Sequence, residues 1–120
     1  MCGLFGAWGW SQQLDTTAAL EALKSRGPDD QGEFHDPCGL TLLHTRLAIQ
    51  DLSPLGHQPM ITSDQGLVLV FNGEIYNQHK LRRELEAAGY NFRSHSDTEV
   101  LLHGFRHWGQ ELWQRLEGIF

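Results

Sequence analysis

The chain has 120 residues, 40% of them hydrophobic, a length that fits one domain with a sizeable core and not two. Nine Lys and Arg against 15 Asp and Glu give a net charge of −6, with no basic run longer than Arg82-Arg83, which argues against a nucleic-acid binder. The longest aliphatic stretch, Leu67 to Phe71, is too short to span a bilayer, and no positive residue precedes Lys24 as a secretory signal requires, so a cytoplasmic chain is expected.

Cys2 to Trp8 is small and apolar and reads as a buried strand, with Gly3 and Gly6 allowing close backbone approach. Asp15 is placed to cap a short helix reaching Lys24, where Ala19, Leu20 and Leu23 form one stripe. Arg26-Gly27-Pro28-Asp29-Asp30 ends it, because Gly27 suits a helix stop and Pro28 cannot continue one. Gly32 to His35 and Gly39 to Thr45 suggest a hairpin around Asp36-Pro37-Cys38. Ser53 to Pro59 reads as a loop, and Met60 to Thr62 with Leu67 to Phe71 as a second hairpin over Ser63 to Gly66.

Asn77 is expected to cap a helix running to Ala88 and stopped by Gly89, with Leu81 and Leu85 on its inner face. Ser96-Asp97-Thr98-Glu99 has the spacing of a capping box and opens a helix with Val100, Leu101, Leu102 and Phe105, ended by Gly109. A short helix from Gln110 to Leu116 follows. The final Ile119-Phe120 reads as an interrupted core strand, which suggests a domain incomplete at its C-terminus. Adjacent hairpins with separate helices predict an α+β fold with antiparallel sheet.

Several residues could carry chemistry. Removal of Met1, favoured by a small second residue, would leave Cys2 with a thiol and a free α-amine. An α-amine with an ordinary pKa of roughly 7.7–8.0 can take the thiol proton and later return it to a departing amine; His44 is the nearest alternative base. The Asn72 carboxamide beside the open Gly73 N–H could form an oxyanion hole, although Asn-Gly is also a common turn dipeptide. Arg46 suits a carboxylate gripped by two parallel hydrogen bonds, or a structural ion pair. Asp97 could hold an ammonium or simply cap a helix. His103 and His107, four apart, lack an evident third metal ligand, so a polar helix face is preferred and no metal is expected. Two cysteines, Cys2 and Cys38, are too few for a disulfide scaffold.

Six segments in order carry a family resemblance: Met1-Cys2-Gly3-Leu4-Phe5-Gly6, Arg26 to Gly32, His44 to Ser53, Gln58-Pro59-Met60, Asn72-Gly73-Glu74-Ile75-Tyr76-Asn77 and Ser94 to Val100. Together they resemble the glutaminase domain of the asparagine synthetases, within the class II (N-terminal nucleophile) glutamine amidotransferases. The resemblance covers residues 1–120 and implies a four-layer αββα sandwich with antiparallel sheets. It implies Cys2 as nucleophile on the glutamine side-chain amide and Asn72 with Gly73 as the oxyanion hole. Arg46 would bind the substrate α-carboxylate, Glu74 and Asp97 the α-ammonium, and the backbone of Leu47, Ala48, Ile49 and Gln50 would line the pocket. Gln50 departs from the aliphatic residue usual there. No cofactor is implied for this segment. ATP and Mg belong to an absent C-terminal synthetase domain that activates aspartate, and a homodimer is implied for the full-length protein. A relative amidating another carboxylate, or a silent binding module, are the rival readings.

Overall fold

The computed structural model describes residues 1–9 and 14–120. Its organising element is β3 (Leu40–Arg46), which pairs antiparallel with β1 (Gly3–Trp8) on one side and β2 (Asp30–His35) on the other. The β2–β3 partners are joined through Asp36-Pro37-Cys38, as their spacing predicts. The β1–β3 pairing, Gly3 opposite Thr45 through Trp8 opposite Leu40, is long-range and left no local signal.

Side-chain alternation gives β3 two working faces. Thr45 turns toward α1 (Thr16–Leu23), where its hydroxyl donates to the Leu23 carbonyl at 3.0 Å. His44 and Arg46 turn the other way, His44 to the Phe71 carbonyl and Arg46 into the segment after the strand. The Asp15 carboxylate caps α1 by accepting from the Ala18 N–H, and the predicted stripe of Ala19, Leu20 and Leu23 is half-buried.

The main hydrophobic cluster lies on the two longer helices, α2 (Gln78–Ala87) and α3 (Asp97–Trp108). It comprises Ile75, Leu81, Leu85, Val100, Leu101 and Leu112, with Leu69, Phe71, Tyr90 and Phe92 packed against it. Gly89 and Gly109 end these helices with φ of 96° and 57°, left-handed conformations that glycine adopts at little cost. The second hairpin is present as β4 (Met60–Ile61) and β5 (Val68–Leu69), and α3 packs on it. Two further short strands, β6 (Glu74–Ile75) and β7 (Gly118–Ile119), pair antiparallel. Residues 109–114 form a 3₁₀ segment where a short α-helix was expected. No helix among the described residues is long and apolar enough to cross a membrane.

Two caps differ from the sequence expectation. The Asn77 side chain does not cap α2; it donates to the Arg115 carbonyl and accepts from the Glu117 N–H, tying the approach to β7 onto the start of the helix. In the expected capping box, Ser96 does cap α3 through the Thr98 N–H. Glu99, however, turns to the preceding loop, and the Ser96 N–H is taken by the Ser94 hydroxyl.

Close backbone approach fixes the end of β3. A β-carbon on Gly27 would fall on the Thr45 carbonyl group and the Arg46 nitrogen, which are main-chain atoms and cannot swing aside. Gly27→Ala is therefore expected to lower stability by about 1–3 kcal/mol through overpacking. Chemical denaturation would read this as a lower midpoint, and an unchanged midpoint would mean that the turn does not constrain β3.

Candidate active site

The β1–β3 register sets Cys2 beside the end of β3. The Cys2 sulfur accepts from the Leu47 N–H at 3.4 Å and lies 3.8 Å from the Leu47 carbonyl, which its thiol proton can reach. The Leu47 main chain thus holds the sulfur at the end of β3. The Arg26 Nε donates to the Cys2 carbonyl at 3.2 Å, so Cys2 is held at its carbonyl and its sulfur. The Arg26-Gly27-Pro28-Asp29-Asp30 segment thus does more than break a helix. Its Asp29 N–H bonds the Arg46 carbonyl, and its Asp29 carboxylate takes the Ala48 N–H at 2.9 Å.

Arg46 is buried, with its Nη1 donating to the Ser53 carbonyl at 2.9 Å and its Nη2 to the Asp51 carbonyl. The guanidinium therefore shapes the 47–56 segment around itself, and two of its five N–H donors are used in doing so. Gly56 is a second close approach, since any side chain there would meet that guanidinium. The Asp51 carboxylate accepts from the Ser53 N–H at 2.8 Å and from the His95 N–H at 2.9 Å. Burial pushes this carboxyl up, but its bonds to Ser53 and His95 together with the Arg46 charge outweigh burial and hold it below its ordinary range.

Two further segments close the site. Asn72 and Gly73 follow β5 and lead into β6, with Gly73 packed against the Ile119 carbonyl and the Phe71 ring. The Asp97 carboxylate, at the first residue of α3, accepts from the Ile75 N–H at 3.0 Å and so joins helix to strand. The loop that delivers Asp97 is ordered by Glu99, whose buried carboxylate takes the Arg93 N–H, the Ser94 N–H and the Ser94 hydroxyl. Burial pushes Asp97 above its ordinary range and the Glu74 charge adds to this; its main-chain hydrogen bonds oppose the shift without cancelling it.

These segments surround one cavity of about 430 Å³, a size typical of small-molecule sites. Cys2, Arg46, Leu47, Ile49, Gln50, Asn72, Gly73, Glu74 and Asp97 all line it. Ala48 does not, because its N–H is turned away onto Asp29. The alternative base His44 is also outside it: the ring is fully buried on the Phe71 carbonyl, and desolvation lowers its pKa. Asp51, Gln58 and Thr98 belong to the wall without having been singled out from the sequence. Asp51 and Gln58 lie in segments that carried the resemblance, but no local pattern tells a buried polar tie from a loop residue. Gln50 is held by a hydrogen bond from Gln78 Nε2 at 3.1 Å. His103 and His107 pack against the Tyr90 ring, and among the described residues no group of three His, Cys, Asp or Glu is placed to hold a metal ion.

Residues 1–120 match the family described as the glutamine amidotransferase domain. The chain belongs to this family. The amidotransferase domain is 41% identical to glutamine-hydrolyzing asparagine synthetase 1 of Bacillus subtilis (strain 168), with 100% of this chain and 20% of the relative covered. Asparagine synthetase 3 of the same organism is 39% identical with the same coverage, and that of Sandersonia aurantiaca 40%, with 23% of the relative covered. The chain thus spans about a fifth of the length of the curated relatives it matches.

The raised Asp97 carboxyl makes a test of the amidotransferase site. The folded state holds this proton more tightly than the unfolded chain, so the stabilisation is complete below the unfolded value near 3.8 and is lost as pH rises through the folded value. At neutral pH the ionised carboxylate therefore destabilises the fold. Asp97→Asn keeps an acceptor for the Ile75 N–H, and should raise the thermal midpoint at pH 7 by an amount that shrinks toward pH 4. Melting curves across that range would show it, and a lower midpoint at pH 7 would refute the burial argument.

Proposed function

We propose that this chain hydrolyses the side-chain amide of L-glutamine to glutamate and ammonia. The observation that carries this reading is one cavity drawing a cysteine thiol, a carboxamide with a glycine N–H, an arginine and two acids from four separate stretches of chain. Glutamine offers matching groups: an amide carbon to attack, a developing oxyanion, an α-carboxylate and an α-ammonium.

In this reading Met1 is removed and the Cys2 α-amine takes the thiol proton. The sulfur attacks the amide carbon, and negative charge gathers on the amide oxygen, where the Asn72 carboxamide and the Gly73 N–H stabilise it. Collapse breaks the carbon–nitrogen bond, and the α-ammonium returns its proton to the leaving ammonia. Water, deprotonated by the same amine, then splits the γ-glutamyl thioester. Arg46 uses its remaining N–H donors on the α-carboxylate. Glu74 and Asp97 hold the α-ammonium, and that positive charge favours ionised Asp97 against its burial. Leu47, Ile49 and Gln50 form the adjoining wall.

In the longer protein, the ammonia would serve ATP-dependent conversion of aspartate to asparagine by a C-terminal synthetase domain. The relatives' names, glutamine-hydrolyzing asparagine synthetases, support the asparagine product. ATP and Mg would act in that second reaction, and no step of glutamine hydrolysis passes through them. Placement of α1 against the β1–β3 sheet and of α3 against β4–β5 supports a four-layer αββα sandwich. A cytoplasmic homodimer is the form we propose for the whole enzyme.

N-terminal processing is the decisive experiment. Met1 is 69% exposed, so it is open to an aminopeptidase. Retained Met1 turns the proposed base into a peptide N–H and crowds the cavity that Met1 itself lines. Full-length protein with Met1 removed, verified by N-terminal mass, should release ammonia from glutamine, and protein retaining Met1 should not. Equal rates would overturn the N-terminal nucleophile mechanism.

The oxyanion assignment makes a separate kinetic prediction. Asn72→Ala should lower kcat by about 10²–10³-fold while changing KM little, because the charge exists only in the transition state. A raised KM with kcat intact would make Asn72 a ground-state binding residue instead.

A further inference from the structure

Gln58 is 6% exposed, and both ends of its carboxamide are engaged. Its Oε1 accepts from the Phe71 N–H at 2.6 Å and its Nε2 donates to the Thr98 hydroxyl oxygen at 3.1 Å. Because a main-chain N–H can only donate, the Phe71 contact fixes which end is oxygen. Phe71 immediately precedes Asn72, and Thr98 immediately follows Asp97. The Gln58 main chain also lies against Gly32 of β2, so closely that a β-carbon there would meet the Gln58 carbonyl. One residue thus lies against the sheet through its main chain and bonds, through its side chain, the neighbours of Asn72 and Asp97.

We infer that Gln58 is a positioning residue that sets the oxyanion-binding segment and the ammonium-binding segment at their working separation from Cys2. The inference rests on the glutaminase reading and goes beyond it, since Gln58 need not touch the reacting atoms. Its carboxamide is planar, and with both ends bonded it acts as a strut of fixed length. His44 also holds the Phe71 carbonyl and Asp97 the Ile75 N–H. Among the described residues, however, Gln58 is the one side chain bonded to both Phe71 and Thr98, and an apolar side chain of equal length would fill the space without holding either end. Loss of the strut should move donors that must meet a developing charge, and a misplacement of that kind costs about 10²-fold in rate. The arm through Thr98 acts on Asp97, so severing it alone should weaken binding rather than chemistry.

The test uses three variants of the processed full-length protein, with kcat and KM for glutamine, the thermal midpoint and the rate of Cys2 alkylation by iodoacetamide. Gln58→Met cuts both arms at nearly constant shape, and should lower kcat about 10²-fold and raise KM about 10-fold. Thr98→Val cuts only the Asp97 arm, and should raise KM about 10-fold with kcat within about threefold. Gln58→Glu can accept from both the Phe71 N–H and the Thr98 O–H, and should recover most of the kcat lost in Gln58→Met. Cys2 alkylation should stay within about twofold throughout, since the sulfur keeps its Leu47 contact. A merely structural Gln58 would lower the melting point and leave kcat and KM at parental values in the folded protein, which overturns the inference. Identical kinetic patterns in Gln58→Met and Thr98→Val would overturn it as well. Should Gln58→Met not fold, an unchanged KM in Thr98→Val is enough to refute it. A parent protein that releases no ammonia refutes the glutaminase reading itself, and is told apart because no variant is needed to see it.

Discussion

The antiparallel register between β1 and β3 is the constraint on which the site depends. Pairing Gly3 with Thr45 leaves Cys2 opposite the end of β3, within reach of the Leu47 N–H and beside the buried Arg46. A slip of one residue would turn every side chain of β1 to the other face and carry the thiol away from the cavity. Close packing guards against that slip, since a β-carbon on Gly3 would meet the Thr45 hydroxyl at 2.6 Å. The hydrogen bond from Arg26 to the Cys2 carbonyl holds the same end of the strand.

Around that register, among the described residues, the protein buries more polar and charged side chains than apolar ones. Arg46, Asp51, Gln58, Asp97 and Glu99 are all buried, and all but Gln58 carry ionisable groups. The four ionisable ones are satisfied chiefly by main-chain groups rather than by a partner side chain of opposite charge. Asp51 gathers the N–H groups of Ser53 and His95, and Glu99 those of Arg93 and Ser94. Charges solvated in this way fix the path of irregular loops, which have no sheet or helix ladder to define them. Asp97 is the exception in sign, because burial outweighs its hydrogen bonds. That imbalance suits a site built to receive a positive group rather than to be complete alone.

The regular elements were legible wherever local spacing carries the information. Asp15, Gly89 and Gly109 mark helix ends, and Asp36-Pro37-Cys38 marks the hairpin, because a few neighbouring residues decide each of them. The ties that cross the chain were not legible. Asn77 reads as a cap but bonds Arg115 and Glu117, and Glu99 reads as half of a capping box but serves the loop before the helix. In both cases a tertiary partner competes successfully for a side chain whose local use would be equally ordinary. The residues expected at the site came from the ordered motifs, and all but Ala48 line one cavity. The supporting residues Asp51 and Gln58 came to light only with the packing.

The pairing of β6 with β7 sets Glu74 opposite Ile119, and Asp97 reaches back to Ile75. Together with the β1–β3 pairing, these contacts join residues far apart in the chain. Topologies dominated by such distant contacts fold late and cooperatively, because loop-closure entropy must be met before the contacts reward it. A nascent or partly folded chain therefore carries Cys2 but none of the cavity that surrounds it in the folded protein. On the glutaminase reading proposed above, amide hydrolysis would be a property of the finished fold, and unfinished chains would stay chemically quiet.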